Sequence, residues 1–133
     1  MCEIINKILI IRGGWSIIIV MVFSPVDVFA QIISREIPAD IVFETNTVIA
    51  FRDINPKAKV HILIVPKINY VTLDEIRRDN MEDFAKLLLV AKQVAEMEAL
   101  EGYKLHMNVG EAGGQIVPHV HLHLLSADFE NGL

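Results

Sequence analysis

Three of the five histidines in this 133-residue chain fall within five residues, at every second position: His119-Val120-His121-Leu122-His123. Successive side chains of a strand point to opposite faces, so an extended segment would aim three imidazoles from one side. Val120, Leu122 and Leu124 would then line the other side, against an apolar core. A helix would scatter the three rings around its circumference. Gly113-Gly114 just upstream marks a loop where backbone can approach a ligand closely. Three polar rings beside such a turn are costly to bury without purpose.

Imidazole is largely neutral near pH 7 and can act as nucleophile, proton carrier or metal ligand. As a nucleophile it attacks phosphorus or acyl carbon and then departs, dividing one difficult step into two. Neighbouring imidazoles and the N–H groups of a glycine loop would supply donors for phosphate oxygens. Chelation of zinc or copper by three rings on one face is the competing chemistry. Core histidines that merely alternate are the third reading.

The elements that must position these rings form one domain by length. Net charge is -5, which argues against a broad basic surface for nucleic acid polymers. Cys2 is the only cysteine, so neither an intrachain disulfide nor a cysteine zinc site can form, which fits a reducing, cytoplasmic setting. Ser24-Pro25-Val26-Asp27 predicts a helix start: Ser24 as N-cap, Pro25 in the first turn, and an acid near the positive end. Val26, Phe29, Ala30 and Ile33 would be its apolar stripe. Ile41-Val42-Phe43-Glu44 and Thr47-Val48-Ile49-Ala50-Phe51 predict an antiparallel pair, and 60–65 a central strand buried on both faces. Thr72-Leu73-Asp74-Glu75 reads as a capping box. Asn80 should cap a long helix that stops at Gly102 as C′, with Phe84, Leu87, Leu88, Ala91, Val94 and Ala95 buried. A strand over 103–109 carries Lys104, His106 and Asn108 on one face, and 128–133 is a loose tail. The order gives an α+β domain with an antiparallel sheet.

Residues 1–23 stand apart from a folded domain at 24–133. They are apolar but interrupted by Lys7, Arg12 and Gly13-Gly14, too broken for a spanning helix. The preferred reading is an extension translated upstream of a start at Met21. A secretory signal with Val28-Phe29-Ala30 as cleavage site and a weak membrane anchor are the alternatives.

The His119 to Leu125 stretch resembles the His-φ-His-φ-His-φ-φ signature (φ apolar) of the histidine triad (HIT) superfamily. The 29–39 block, Phe51-Arg52-Asp53-Ile54, the 61–67 block and Asn108-Val109-Gly110 resemble, in order, blocks of its nucleoside-phosphoramidase branch. The resemblance spans about residues 26–126. It implies a five-stranded antiparallel sheet with one long and one or two short helices, and a homodimer whose two sheets join through the 102–109 region and the main helix.

It also implies a purine nucleotide-binding hydrolase that cleaves nucleoside 5′-monophosphate conjugates through a nucleotidyl-histidine. Dinucleoside polyphosphate hydrolysis, or a nucleotide- or protein-binding module with weak catalysis, are the alternatives. His121 would be the nucleophile, His119 would fix its tautomer and orientation, His123 would bond the phosphate, and His61 would support the triad. Asp53 would take the ribose hydroxyls, Ile32 and Ile54 would sandwich the base, and Asn108, Gly114 and Gln115 would line the ribose and phosphate side. No cofactor, metal or nucleic acid polymer is implied, and no membrane unless residues 1–23 anchor it. His106 matches no family position and is expected to be structural or exposed. Two departures stand out: Ile116 where the branch carries a polar residue that helps protonate the leaving group, and Asn69 where many relatives have histidine. Both put the preference for phosphoramidates in question.

Overall fold

The computed structural model describes the backbone of residues 4–13 and 16–25 and the whole of 27–127. Strands β1 (Ile4–Gly13) and β2 (Ser16–Pro25) form an antiparallel hairpin, with Gly13 opposite Ser16. Ser24 and Pro25 therefore close a strand and do not start a helix. Helix α1 runs Val28–Ile33 and its N-cap is Asp27, whose Oδ1 accepts from the Ala30 N–H at 2.9 Å. A carboxylate caps as well as a hydroxyl, and Asp27 is the cap adjoining the buried Phe29 and Ile32. Val26 and the 128–133 tail lie outside the described residues.

Strands β3 (Ile41–Glu44), β4 (Val48–Arg52), β5 (Val60–Pro66), β6 (Lys104–His106) and β7 (Leu122–Ser126) build one antiparallel sheet in the order β3-β4-β5-β7-β6. The expected β3–β4 pair and the central β5 are both present. Alternation along β5 sends Ile62 and Ile64 to one face and His61, Leu63 and Val65 to the other, all buried. The first face packs on helix α2 (Met81–Met97) through Phe84, Leu87, Val90, Ala91 and Val94. The second packs on α1 through Phe29 and Ile32.

Several local expectations are corrected. Leu88 is 59% exposed, and Val90 takes its place in the buried stripe. The helix ends before Gly102. Ala99 turns left-handed at φ 53°, the Ala99 N–H donates to Glu96 O and the Leu100 N–H to Ala95 O. That is a Schellman stop, secured by Leu100 packing on the core. Asn80 makes no cap bond. Its Oδ1 accepts from the Arg77 N–H at 2.6 Å and its amide donates to Glu75 O at 3.0 Å, fastening the preceding turn. Thr72 does cap a single 3₁₀ turn, Leu73–Glu75, but Glu75 reaches back to the Val71 N–H, one residue before Thr72.

Candidate active site

The strand ladder of β7 begins only at Leu122, so His119 and His121 sit just ahead of it. Pro118 has no N–H to give a ladder, the His119 N–H donates to Val117 O, and the Val120 N–H donates to Tyr70 O. Even so, the alternation read from sequence holds from Val120 to Leu124. Val120, Leu122 and Leu124 lie in the α2-side core, while His121 and His123 face a cleft of about 330 Å³. That volume is within the range of about 300–1,000 Å³ typical of small-molecule sites.

The lining of the cleft includes the apolar Phe29, Ile32, Ile37, Ile54 and Ile116, and His106, Asn108 and Gly114, together with His121 and His123. Phe29 sets its ring edge-on to His121, centroids 4.9 Å apart at 78°. Asp53 lines the cleft, and its Oδ1 accepts from the Asn55 N–H at 2.8 Å.

Hydrogen bonds fix where the protons sit. The Nδ1 of His121 lies 2.7 Å from its neighbour His119's carbonyl oxygen, which can only accept. Nδ1 is thus the protonated nitrogen, and Nε2 keeps its lone pair. For His61, the Lys57 backbone N–H donates to Nδ1 at 3.0 Å, so the ring hydrogen is on Nε2. That Nε2 donates to His123 Nδ1 at 2.9 Å, which places the His123 hydrogen on Nε2. His121 therefore offers a base and His123 a donor. Burial, the largest influence on each ring, lowers His61 and His121 below the ordinary imidazole value. Burial, with His121, His106 and His61 adding to it, pushes His123 down to about 3. All three are neutral at physiological pH.

His119 does not face the cleft. It is fully buried, and its ring nitrogens meet Asp27 Oδ2 at 2.8 Å and the Pro66 carbonyl at 2.7 Å. What it offers His121 is its backbone carbonyl. Gln115 is likewise outside the lining. Its Oε1 accepts from the Gly110 N–H, and its amide donates to Val71 O and Val117 O, so it ties down the glycine loop. Asn108 lines the cleft, and its amide donates to Gly113 O at 2.8 Å. Gly114 has φ 86°, and a Cβ there would come within 3.3 Å of that Asn108 amide. The structure thus brings together His61, His121, His123, Ile32, Asp53, Ile54, Asn108 and Gly114, and leaves His119 and Gln115 behind the wall.

Two residues escaped the sequence reading. His106 is neither merely structural nor fully exposed. It sits opposite His123 in the β6–β7 register, and the rings stack at 4.3 Å and 20°. Its place two residues before Asn108 on an alternating strand was the available signal. Asp27 was visible only as an acid near a helix start, because its partner lies 92 residues away. Among the described residues, Asp53, His61 and His123 form one group with donor atoms within 4.8 Å of one another. Within it, His61 Nε2 and His123 Nδ1 are hydrogen-bonded, and His61 Nε2 lies 3.5 Å from Asp53 Oδ2.

A sheet of this order, with a nucleophile-ready histidine and a donor histidine two residues apart, defines a histidine triad protein. The HIT domain family model matches residues 34–130, and the chain belongs to that family. It is 44% identical over 100 residues to the purine nucleoside phosphoramidase of Escherichia coli (strain K12), covering 74% of this chain and 84% of that one. It is 43% identical over 101 residues to the adenylylsulfatase HINT1 of Arabidopsis thaliana, covering 74% and 69%. The crystal structure of a HIT family hydrolase from Legionella pneumophila Philadelphia 1 matches with TM-score 0.73 and 45% identity, over 75% of this chain and 91% of that one.

Proposed function

We infer that the chain hydrolyses purine nucleoside 5′-monophosphate conjugates through a covalent nucleotidyl group on His121. The observation that carries this reading is the His119 carbonyl bond to His121 Nδ1, which leaves a neutral Nε2 lone pair facing the cleft. The base sits between Ile32 and Ile54, and Asp53 takes the ribose hydroxyls. His121 Nε2 attacks the α-phosphorus while the His123 Nε2–H donates to a non-bridging oxygen. The bond to the leaving group breaks with its electron pair. Water then attacks phosphorus, the P–N bond returns its pair to Nε2, and the nucleoside monophosphate leaves. His61 and His119 act on the rings and not on substrate.

Ile116 is 67% exposed on the lining and has no hydroxyl to protonate a departing amine. Conjugates that leave as stable anions are therefore the better substrates. The test is a panel of adenosine 5′-phosphoramidate, adenylylsulfate and dinucleoside polyphosphates, assayed with wild type, His121→Ala and Ile116→Ser. Turnover lost in His121→Ala, with phosphoramidate turnover selectively raised by Ile116→Ser, is the expected pattern. Tight binding without turnover of any member would leave a binding module instead.

Two further properties belong to this reading. β6 is a sheet edge with β7 as its ladder partner, and α2 exposes Leu88 and Leu89. A second copy joined edge to edge would cover both, which supports a homodimer. Light scattering on the purified protein measures it. Residues 24–133 form the catalytic unit, so a chain starting at Met21 should keep its turnover. A cytoplasmic site fits the single cysteine.

A further inference from the structure

Two acceptors hold the His119 ring at opposite ends, Asp27 Oδ2 at Nδ1 and the Pro66 carbonyl at Nε2. A carbonyl oxygen only accepts, so Nε2 bears a hydrogen. An ionised carboxylate only accepts as well, so Nδ1 needs one too. Burial works to raise Asp27, but the hydrogen bond from His119 and that from the Ala30 N–H outweigh it and keep the group ionised. We propose that His119 is a doubly protonated imidazolium at neutral pH, paired with Asp27, and that this buried cation keeps the nucleotidyl group on His121 labile. Asp27 is thus a positioning residue for the reaction.

Asp27 faces the His119 ring from the start of α1, the Pro66 carbonyl from β5, the Phe29 ring at 6.2 Å, and His121 along its own segment. The cation of the pair opposes positive charge on His121. When Nε2 of His121 bonds phosphorus, that ring becomes a phosphoryl-imidazolium and meets the same repulsion. Hydrolysis of the P–N bond returns the electron pair to Nε2 and relieves it. The second step is the one favoured.

Asp27→Asn makes a near-isosteric test. The asparagine oxygen can keep the Ala30 N–H, so the helix stays capped. Its amide then donates to His119 Nδ1, and the ring becomes neutral with its hydrogen on Nε2, still bonded to Pro66. In histidine-labelled native protein at pH 7.5, nitrogen NMR should show two ring N–H groups on His119, and one in Asp27→Asn. Acid-quenched turnover of an adenylyl conjugate should trap about three- to tenfold more nucleotidyl-enzyme in the variant, with kcat falling more than kcat/KM. A single ring N–H on native His119 overturns the ion pair, and an unchanged trapped fraction overturns its role. Should Asp27→Asn fail to fold, the native spectrum decides the ionisation, and Asp27→Ser, which also caps a helix, repeats the kinetic arm. That arm rests on the hydrolase reading, whereas the spectrum stands without it.

Discussion

The two faces of the sheet are built by different rules. Against α2 the contacts are aliphatic and aromatic, from Val48 and Ala50 to Leu122 and Leu124, and they hold by exclusion of water. On the α1 face, four imidazoles are anchored atom by atom, to Lys57 N–H, His119 O, Pro66 O, Asp27 and one another. Stability should therefore reside mainly in the first face and reactivity in the second. Every substitution that separates the two quantities sharpens this contrast.

The largest expected effect is on rate. His121→Ala should lower turnover of an adenylyl conjugate by about a thousandfold or more, with a small change in melting temperature. His123→Ala removes one donor to the phosphate and should cost about 10²–10³-fold in kcat. Loss of cooperative unfolding in either variant would show that the faces are not separable. Leu87→Ala, on the fully buried α2 seam, should cost about 2–5 kcal/mol in denaturant unfolding and leave kcat per folded molecule unchanged.

A pH series tests the three neutral imidazoles of the α1 face, His61, His121 and His123. Burial lowers His121 beneath its ordinary 6.5, so it stays unprotonated, and active, to more acid pH. The acid limb of kcat/KM should accordingly fall below pH 6.5, and a limb above that value would contradict the burial. Stability follows the same sign. The unfolded chain takes up these protons more readily, so stability is full above the unfolded value and declines as pH falls through the folded ones. The smallest effect concerns the end of α2. Ala99→Gly relieves a left-handed alanine and should add about 0.5–1 kcal/mol, read as a modest rise in melting temperature.

Much of this was legible in the residues. The alternating triad announced both its apolar and its polar side, and the 60–65 run, apolar apart from His61, announced a strand buried on both faces. Periodicity cannot distinguish a stripe residue from its immediate neighbour, and Leu88 adjoins the buried Leu87 as Val90 adjoins the buried Ala91. Capping chemistry is shared by serine and aspartate, so Ser24 and Asp27 competed, and only the path of β2 decides. The hardest feature to foresee was what a polar atom bonds. His119 shares the spacing of His121 and His123, and Gln115 resembles a substrate contact of the family, yet their hydrogen bonds are spent on Pro66, Asp27, Gly110, Val71 and Val117. The pairing of His106 with His123 is hidden in the sequence because strand register is a long-range property.

The direction of the relay through His61 to His123 originates in a peptide N–H, that of Lys57. Main-chain amides do not ionise in water and are common to nineteen of the twenty genetically encoded residues. Residue 57 can therefore drift through nearly any side chain while the hydrogen of His123 stays on Nε2. Only proline, which lacks that hydrogen, would release His61 to choose its other tautomer.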